Sequence, residues 1–194
     1  MVLLSYIELS AEEKQQLLEI ARRSIRSGLD SGKSLTLDSA QLDGNLAVSF
    51  GTFVTLKQQG ELRGCMGCLQ TIDKLAQSVA NSAFNAAFKD PRFPNLSVNE
   101  ISQTQLEISV LSVMEPMSVE SREDLLNQLK PGVDGLLLED GRYRSTFLPK
   151  VWDDLESPQD FLEHLLVKAG LARDHWSKTL RFSRYHTVTF EGGL

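Results

Sequence analysis

From Leu46 onward apolar side chains fall on alternate positions, with Leu46, Val48, Phe50, Thr52, Val54 and Leu56 on one face and Ala47, Ser49, Gly51, Phe53 and Thr55 on the other. A period of two suits an extended strand and no helix, because successive strand side chains point to opposite faces. The pattern predicts a half-buried strand over residues 46–56, and Phe53 on the second face predicts that something covers part of that face. Lys57-Gln58-Gln59-Gly60 is a polar turn with a glycine, and residues 62–69 return as a second strand, making a hairpin. The spacing then changes. Thr71 can cap a helix over residues 71–89, with Asp73 in its first turn and Leu75, Val79, Ala83, Phe84, Ala87 and Phe88 on its inner face. Asn81, Ser82, Asn85 and Lys89 are expected to face elsewhere. Asp90-Pro91-Arg92-Phe93-Pro94 ends this helix, since Pro91 biases Asp90 away from helical geometry and Pro94 stops a restart.

Before the hairpin, Ser10-Ala11-Glu12-Glu13 forms a capping box that opens a helix to about residue 27. Leu17, Ile20, Ala21, Ser24 and Ile25 share a face, Arg22, Arg23 and Arg26 load the last turn, and Gly28 is the expected left-handed stop. Beyond residue 100, Leu106, Ile108 and Val110 alternate with Gln105, Glu107 and Ser109, predicting a strand with one solvated face. A short helix opens at Ser121 and closes at Pro131-Gly132. Residues 134–139 and 142–148 flank Asp140-Gly141, a pair suited to a type I′ turn, and give the strongest hairpin signal. Ser157-Pro158-Gln159-Asp160 starts a last helix lined by Phe161, Leu162, Leu165, Leu166 and Ala169 and stopped at Gly170. Leu180, Phe182, Val188 and Phe190 predict one closing strand. Helices and strands mix without a βαβ rhythm, so the expected class is α+β, a mostly antiparallel sheet with packed helices, in a single domain over residues 1–194.

A chain of 194 residues buries roughly 70% of its unfolded surface, so a core needs no staples. Asp and Glu number 26 against 20 Lys and Arg, giving a formal charge of −6. No net positive field draws such a chain to phosphate backbones, and nucleic acid is not an expected partner. No apolar run reaches the roughly 18 residues that a bilayer crossing takes, so no membrane association is expected. Residues 1–8 lack a basic n-region, and the only two cysteines lie three positions apart, which together point to a cytoplasmic protein with reduced thiols.

Glu61-Leu62-Arg63-Gly64-Cys65-Met66-Gly67-Cys68 concentrates a cation, two glycines and both cysteines, a mixture that core packing does not require. Glycine lets a ligand or a second chain approach the main chain, so Gly64 and Gly67 are candidate binding positions. Cys65 is the candidate nucleophile, and its alternative is a buried cysteine acting as a small hydrophobe. Arg63 shares a strand face with Cys65 and acts on the thiol only where the strand bends. Cys65-Met66-Gly67-Cys68 has thiol-redox spacing, but such motifs sit at a helix N-terminus, and here two residues intervene before Thr71. A zinc site would need two further ligands, and His164, His175 and His186 are scattered, so neither metal nor cofactor is expected. His186 is the histidine most worth testing as a base. Asp90 and Arg92 sit on a turn pinned by two prolines, where they either present a rigid carboxylate and guanidinium or simply end the helix with an internal ion pair.

With these residues in place the chain resembles the AMMECR family, whose bacterial members are called AmmeMemoRadiSam system protein A. The family hexapeptide Leu-Arg-Gly-Cys-Ile-Gly stands here as Leu62-Arg63-Gly64-Cys65-Met66-Gly67. Gly51-Thr52-Phe53-Val54-Thr55-Leu56, Asp90-Pro91-Arg92-Phe93-Pro94, Leu106-Glu107-Ile108-Ser109-Val110-Leu111, Phe147-Leu148-Pro149 and Lys168-Ala169-Gly170-Leu171 are similar to further family stretches. The resemblance implies an α+β fold of a larger and a smaller lobe with a cleft between them. It also implies functional interest in Arg63, Gly64 and Cys65, and partnership with a Memo-type protein and a radical-SAM enzyme. No established reaction comes with it. Met66 replaces the usual Ile at nearly equal volume, and Cys68 stands where the family has no fixed cysteine, which speaks against a redox pair. Lys150 follows Pro149 where many relatives have Gln. Two expectations result. Either a cleft lined by Arg63, Cys65, Asp90 and Arg92 binds or modifies a small molecule or peptide, or the chain is a non-catalytic adaptor in which Cys65 is structural.

Overall fold

The computed structural model describes residues 7–155 and 157–194. Residues 1–6, part of the opening stretch read above for its missing n-region, lie outside the described residues. The helices are α1 (Ala11–Ser31), α2 (Leu75–Phe88), α3 (Arg122–Gln128) and α4 (Pro158–Lys168). The strands are β1 (Thr52–Gln58), β2 (Glu61–Cys68), β3 (Thr104–Leu111), β4 (Glu115–Pro116), β5 (Gly135–Asp140), β6 (Tyr143–Phe147), β7 (Arg181–Tyr185) and β8 (Thr187–Gly193). Contacts divide the chain into two compact units, residues 7–111 with 188–194 and residues 112–187. Among the described residues each unit holds one four-stranded sheet, ordered β2-β1-β3-β8 and β4-β7-β5-β6. The class is α+β. No helix of the described residues is long and apolar enough to cross a membrane.

In the first unit α1 opens on the capping box, Ser10 Oγ accepting the Glu13 N–H at 3.1 Å and the Glu13 carboxylate accepting the Ser10 N–H at 2.8 Å. The helix does not stop at Gly28. It runs on to a left-handed cap at Gly32, φ 69°, and Gly28 instead makes room for α2, since a Cβ there would lie 2.2 Å from the Phe88 ring. The other side of α2 lies on the sheet. Val54, Leu56, Leu106, Ile108 and Val110 are wholly buried in the core that α2 shares. Covered on both sides, α2 is built of small residues, with Ala76, Ala80, Ala83, Ala86 and Ala87 buried together with Ser78 and Ser82. Ser82 turns toward the sheet, contrary to expectation, because its hydroxyl and that of Ser78 bond Thr52 Oγ1 at 3.1 and 2.8 Å.

Pairing, not periodicity, sets where strands begin. Residues 46–51 alternate like a strand but are not one; a 3-10 turn occupies Gly44–Ala47, and the Val48 carbonyl accepts the Leu75 N–H at 2.7 Å, supplying a partner to an otherwise unpaired helix-start donor. The helix therefore starts after Lys74 rather than at Thr71, whose hydroxyl accepts the Asp73 N–H at 3.0 Å within the preceding turn. Turn types also differ from expectation. Gln58 pairs with Glu61, and both central residues, Gln59 and Gly60, have positive φ (53° and 84°), the type I′ pattern. Asp140 pairs with Tyr143, so the second hairpin turns on Gly141-Arg142, and only Gly141 has positive φ, the type II′ pattern.

In the unit of residues 112–187, Leu125, Leu136, Leu138, Phe161, Leu162, Leu165 and Leu166 are wholly buried. The Trp152 ring stacks on Phe161 with centroids 3.9 Å apart, and its Nε1 donates to the Asp134 carbonyl at 2.8 Å. The single closing strand expected at the C-terminal end is two strands. Phe182 lies in β7 of this unit, whereas Val188 and Phe190 lie in β8 of the first, because alternation says nothing about which sheet a strand joins.

The approach of α2 to β2 is tight at Gly64, where a Cβ would come 2.2 Å from the Ala86 main-chain carbonyl oxygen. Gly64→Ala is expected to lower unfolding stability in urea by about 1–3 kcal/mol, since main chain has to give way. Gly193→Ala, where a Cβ meets nothing within 4 Å, should stay within about 0.5 kcal/mol.

Candidate functional site

Strand β2 is the edge of its sheet, paired on one side only, with β1. Cys65 stands opposite Thr55. Its N–H donates to Asp90 Oδ2 at 2.9 Å and its carbonyl accepts from Arg92 Nη2 at 3.3 Å. Both main-chain groups of Cys65 thus face the open edge, and the two side chains occupy the place a neighbouring strand would take. Asp90 is 5% exposed and also accepts from the Arg92 N–H, Nε and Nη2 at 3.1, 2.9 and 2.7 Å. Hydrogen bonding from the Arg92 guanidinium, opposed by burial and helped by the Cys65 N–H, holds the Asp90 carboxyl well below the usual carboxylate range. The Asp90 carboxylate in turn raises Arg92. The turn arises as the prolines predict: α2 ends at Phe88, and the Phe93 N–H closes on the Asp90 carbonyl at 3.2 Å.

Two residues upstream β2 does bend. Leu56 pairs with Gly64 but Lys57 pairs with Leu62, leaving Arg63 as the extra residue of a β-bulge. The bulge aims the guanidinium at Glu100 rather than at the thiol, with Nε and Nη2 donating to Oε1 and Oε2 at 2.7 and 3.3 Å. Glu100 also accepts from Ser97 N–H at 2.9 Å and Gln58 Nε2 at 3.2 Å. The Arg63 fork, against the cost of burial, brings its carboxyl down to about 2. Arg63 is 8% exposed, and its Nη1 is buried without a hydrogen-bond partner among the described residues.

The half-buried Cys65 side chain lies on the face away from α2, where Thr55 Oγ1 donates to Sγ at 3.3 Å. Thr55 is opposite Glu107 on its other side, and Glu107 holds Lys57 Nζ at 2.6 Å. Cys65, Thr55 and Glu107 therefore make one row across three strands. Cys68 lies on the opposite face, its Sγ 3.8 Å from Ser78 Oγ of α2. Three strand residues span about 10 Å. That exceeds the roughly 7 Å between Cα atoms that a disulfide can bridge, so the pair cannot close while β2 keeps its strand. At Gly67 a Cβ would meet the Thr52 carbonyl at 2.1 Å and the Phe53 ring at 2.7 Å, so Phe53 crosses the strand there. Among the described residues no three His, Cys, Asp or Glu side chains group as metal ligands. His164, His175 and His186 all belong to the other unit, partnered by the Asp160 carbonyl, Asp140 and Asp134.

The AMMECR1 family pattern matches residues 18–190. The chain belongs to the AMMECR1 family. A protein of Methanothermobacter thermautotrophicus is 37% identical over 176 residues, covering 88% of this chain and 89% of its own length. One of Thermofilum pendens is 34% identical over 183 residues, covering 87% and 84%. The crystal structure of an uncharacterised protein from Pyrococcus horikoshii is similar with a TM-score of 0.86 at 30% identity, over 95% of this chain and 94% of that one.

In this AMMECR1-family chain, Cys65, Asp90 and Arg92 are joined directly, Arg63 is tied to Glu100, and Gly64 and Gly67 sit where other main chain or a ring comes closest. Sequence reasoning missed Thr55, Lys57, Glu100 and Glu107. The first two and Glu107 occupy the second strand face that Phe53 marked as partly covered. Glu100 gave no local signal, because its arginine lies 37 positions away.

Asp90→Asn should cost about 1.5–3 kcal/mol of stability at pH 7, the value of hydrogen bonds to a charged group. Because the folded carboxyl titrates below the unfolded one, its contribution is complete above the unfolded value near ~4 and disappears as pH falls further. The gap between the parent chain and Asp90→Asn in chemical denaturation should therefore be constant from about pH 7 to 5 and close in stronger acid.

Proposed function

We propose that the chain binds or modifies a small molecule or peptide through the Cys65 thiol, in a system shared with Memo-type and radical-SAM proteins. The observation that carries this reading is the unequal treatment of one residue. A buried carboxylate and a guanidinium hold both main-chain groups of Cys65, while its sulfur receives one hydroxyl hydrogen bond and stays half exposed. A packed hydrophobe needs no such positioning; a nucleophile or a ligating thiol does. In this reading Thr55 stabilises charge developing on sulfur. Arg92, whose side chain is 55% exposed, meets an anionic group of the ligand, and Asp90 fixes both. Arg63 and Glu100 hold the bulge that sets the entry of β2 into the site. The partner assignment rests on the family resemblance of the Leu62–Gly67 hexapeptide and on no contact described above.

The adaptor reading draws on a different observation: β2 is an edge strand, and Leu62 beside the bulge is 42% exposed. Strand addition at Cys65 itself would have to displace Asp90 and Arg92, so such a partner would engage the edge nearer Leu62. Bulky replacement of Gly64 does not test it cleanly, because α2 has to move.

In a Cys68→Ser background, native Cys65 should be alkylated at a rate comparable to that of the unfolded chain, and Asp90→Asn should change that rate while Leu62→Ser does not. Cys65→Ser should abolish ligand turnover or capture and leave partner association intact. A thiol that reacts only after unfolding would overturn the proposal and leave the adaptor reading.

A further inference from the structure

The unit of residues 112–187 carries a hollow of about 400 Å³, remote in sequence from Cys65 and lined by Val119, Trp176, Leu180 and Phe182 together with Lys178 and Arg181. Phe182 and Leu180 are buried and form an apolar floor, whereas Trp176 is 37% exposed. The indole and the Phe182 ring stack with centroids 5.8 Å apart at 24°, so the buried ring backs the indole and fixes its plane while the rest of Trp176 stays exposed.

The loop that brings Trp176 and Lys178 to the hollow is held in place before any ligand arrives. Asp140, at the β5–β6 turn, accepts from Ser177 Oγ and bonds His175 Nε2, each at 2.8 Å, and also accepts from Thr179 Oγ1. Asp, His and Ser side chains meet here without forming a hydrolytic triad. The serine and the imidazole both turn to the same carboxylate oxygen, Oδ2, so the serine has no base. The carboxylate is an anchor. Arg181 completes it by donating from Nη1 to the Lys178 and Leu180 carbonyls at 3.0 and 2.8 Å. A preformed concavity with an aromatic wall and a few convergent polar groups is the usual form of a small-molecule site.

We propose that this hollow binds a small planar aromatic anion, its ring laid on the exposed part of Trp176 and its carboxylate or phosphate held by Lys178 and Arg181. The ring fits because stacking needs a flat exposed face, which Trp176 supplies. The anion fits because two cations line one hollow of a chain whose formal charge is −6. Glu120 in the same lining adds an acceptor, which suits a ring that also carries an amino group. Nucleoside monophosphates and aminoaryl carboxylates share this chemistry.

Calorimetric titration of the full chain with adenosine 5′-monophosphate and with 4-aminobenzoate separates the two sources. At least one should bind one-to-one, and its neutral counterpart, adenosine or 4-aminobenzamide, should bind about tenfold more weakly or worse. Lys178→Glu should weaken the anion by at least about tenfold, and Trp176→Ala should abolish binding. Both positions are exposed, and an unchanged unfolding midpoint would show that each variant folds. Cys65→Ser should bind as the parent does, which separates this site from the thiol. Absence of saturable binding by either anion, equal affinity for the neutral counterparts, or binding that survives Trp176→Ala and Lys178→Glu would each overturn the proposal.

Discussion

The closeness of α2 to β2 is the contact on which the rest of the first unit depends. At Gly64 the Ala86 carbonyl fills the space where a side chain would start, and at Gly28 the Phe88 ring does the same from the α1 side. A helix clamped between a sheet and another helix at that distance can carry only small residues on its covered faces, and the Ala and Ser content of α2 follows. Hydroxyls that would cost free energy if buried alone are paired across the seam, Thr52 with Ser78 and Ser82. The position of the helix end is then set, and so is the point at which Asp90 leaves it.

That exit point joins packing to the site. The residues after α2 run along the open edge of β2, where the Asp90–Arg92 pair satisfies the main chain of Cys65 and Glu100 takes the bulged Arg63. Edge strands are hazardous because their unpaired groups template further pairing. Here one ion pair, its carboxylate buried and its guanidinium half exposed, both blocks the edge and immobilises the residue whose sulfur lies on the other axis of the strand. A strand gives this separation naturally, since main-chain groups point along the sheet and side chains stand perpendicular to it. Position and reactivity of Cys65 are thereby supplied by different neighbours: Asp90 and Arg92 for the main chain, Thr55 for the sulfur.

The second unit uses a carboxylate in another way. Asp140 closes no edge; it gathers His175, Ser177 and Thr179 around a turn and so shapes the loop that bears Trp176. Thr179, His175 and Ser177 together keep its carboxyl down at about 2, ionised through the neutral range. The family match over residues 18–190 takes in both units, so both belong to what relatives share.

Local chemistry determined a good part of this by itself. The capping box at Ser10, the proline stop after α2, the Gly170 stop after α4, both hairpins and the α+β class were legible because each rests on neighbours within four residues or on a period of two or 3.6. The density of unusual residues between Glu61 and Cys68 was enough to choose the candidate site. Only the tertiary structure decided which of those periodic stretches pair. It ended the strand pattern before Thr52, carried α1 past Gly28, moved the type I′ turn to Gln59-Gly60 and split the closing strand between two sheets. It also decided that Arg63 meets Glu100, 37 positions on, and that Asp90 holds the main chain of Cys65, 25 positions back. Sequence spacing carries conformational preference, but register and burial are settled by what packs against a segment, and those partners lie far along the chain.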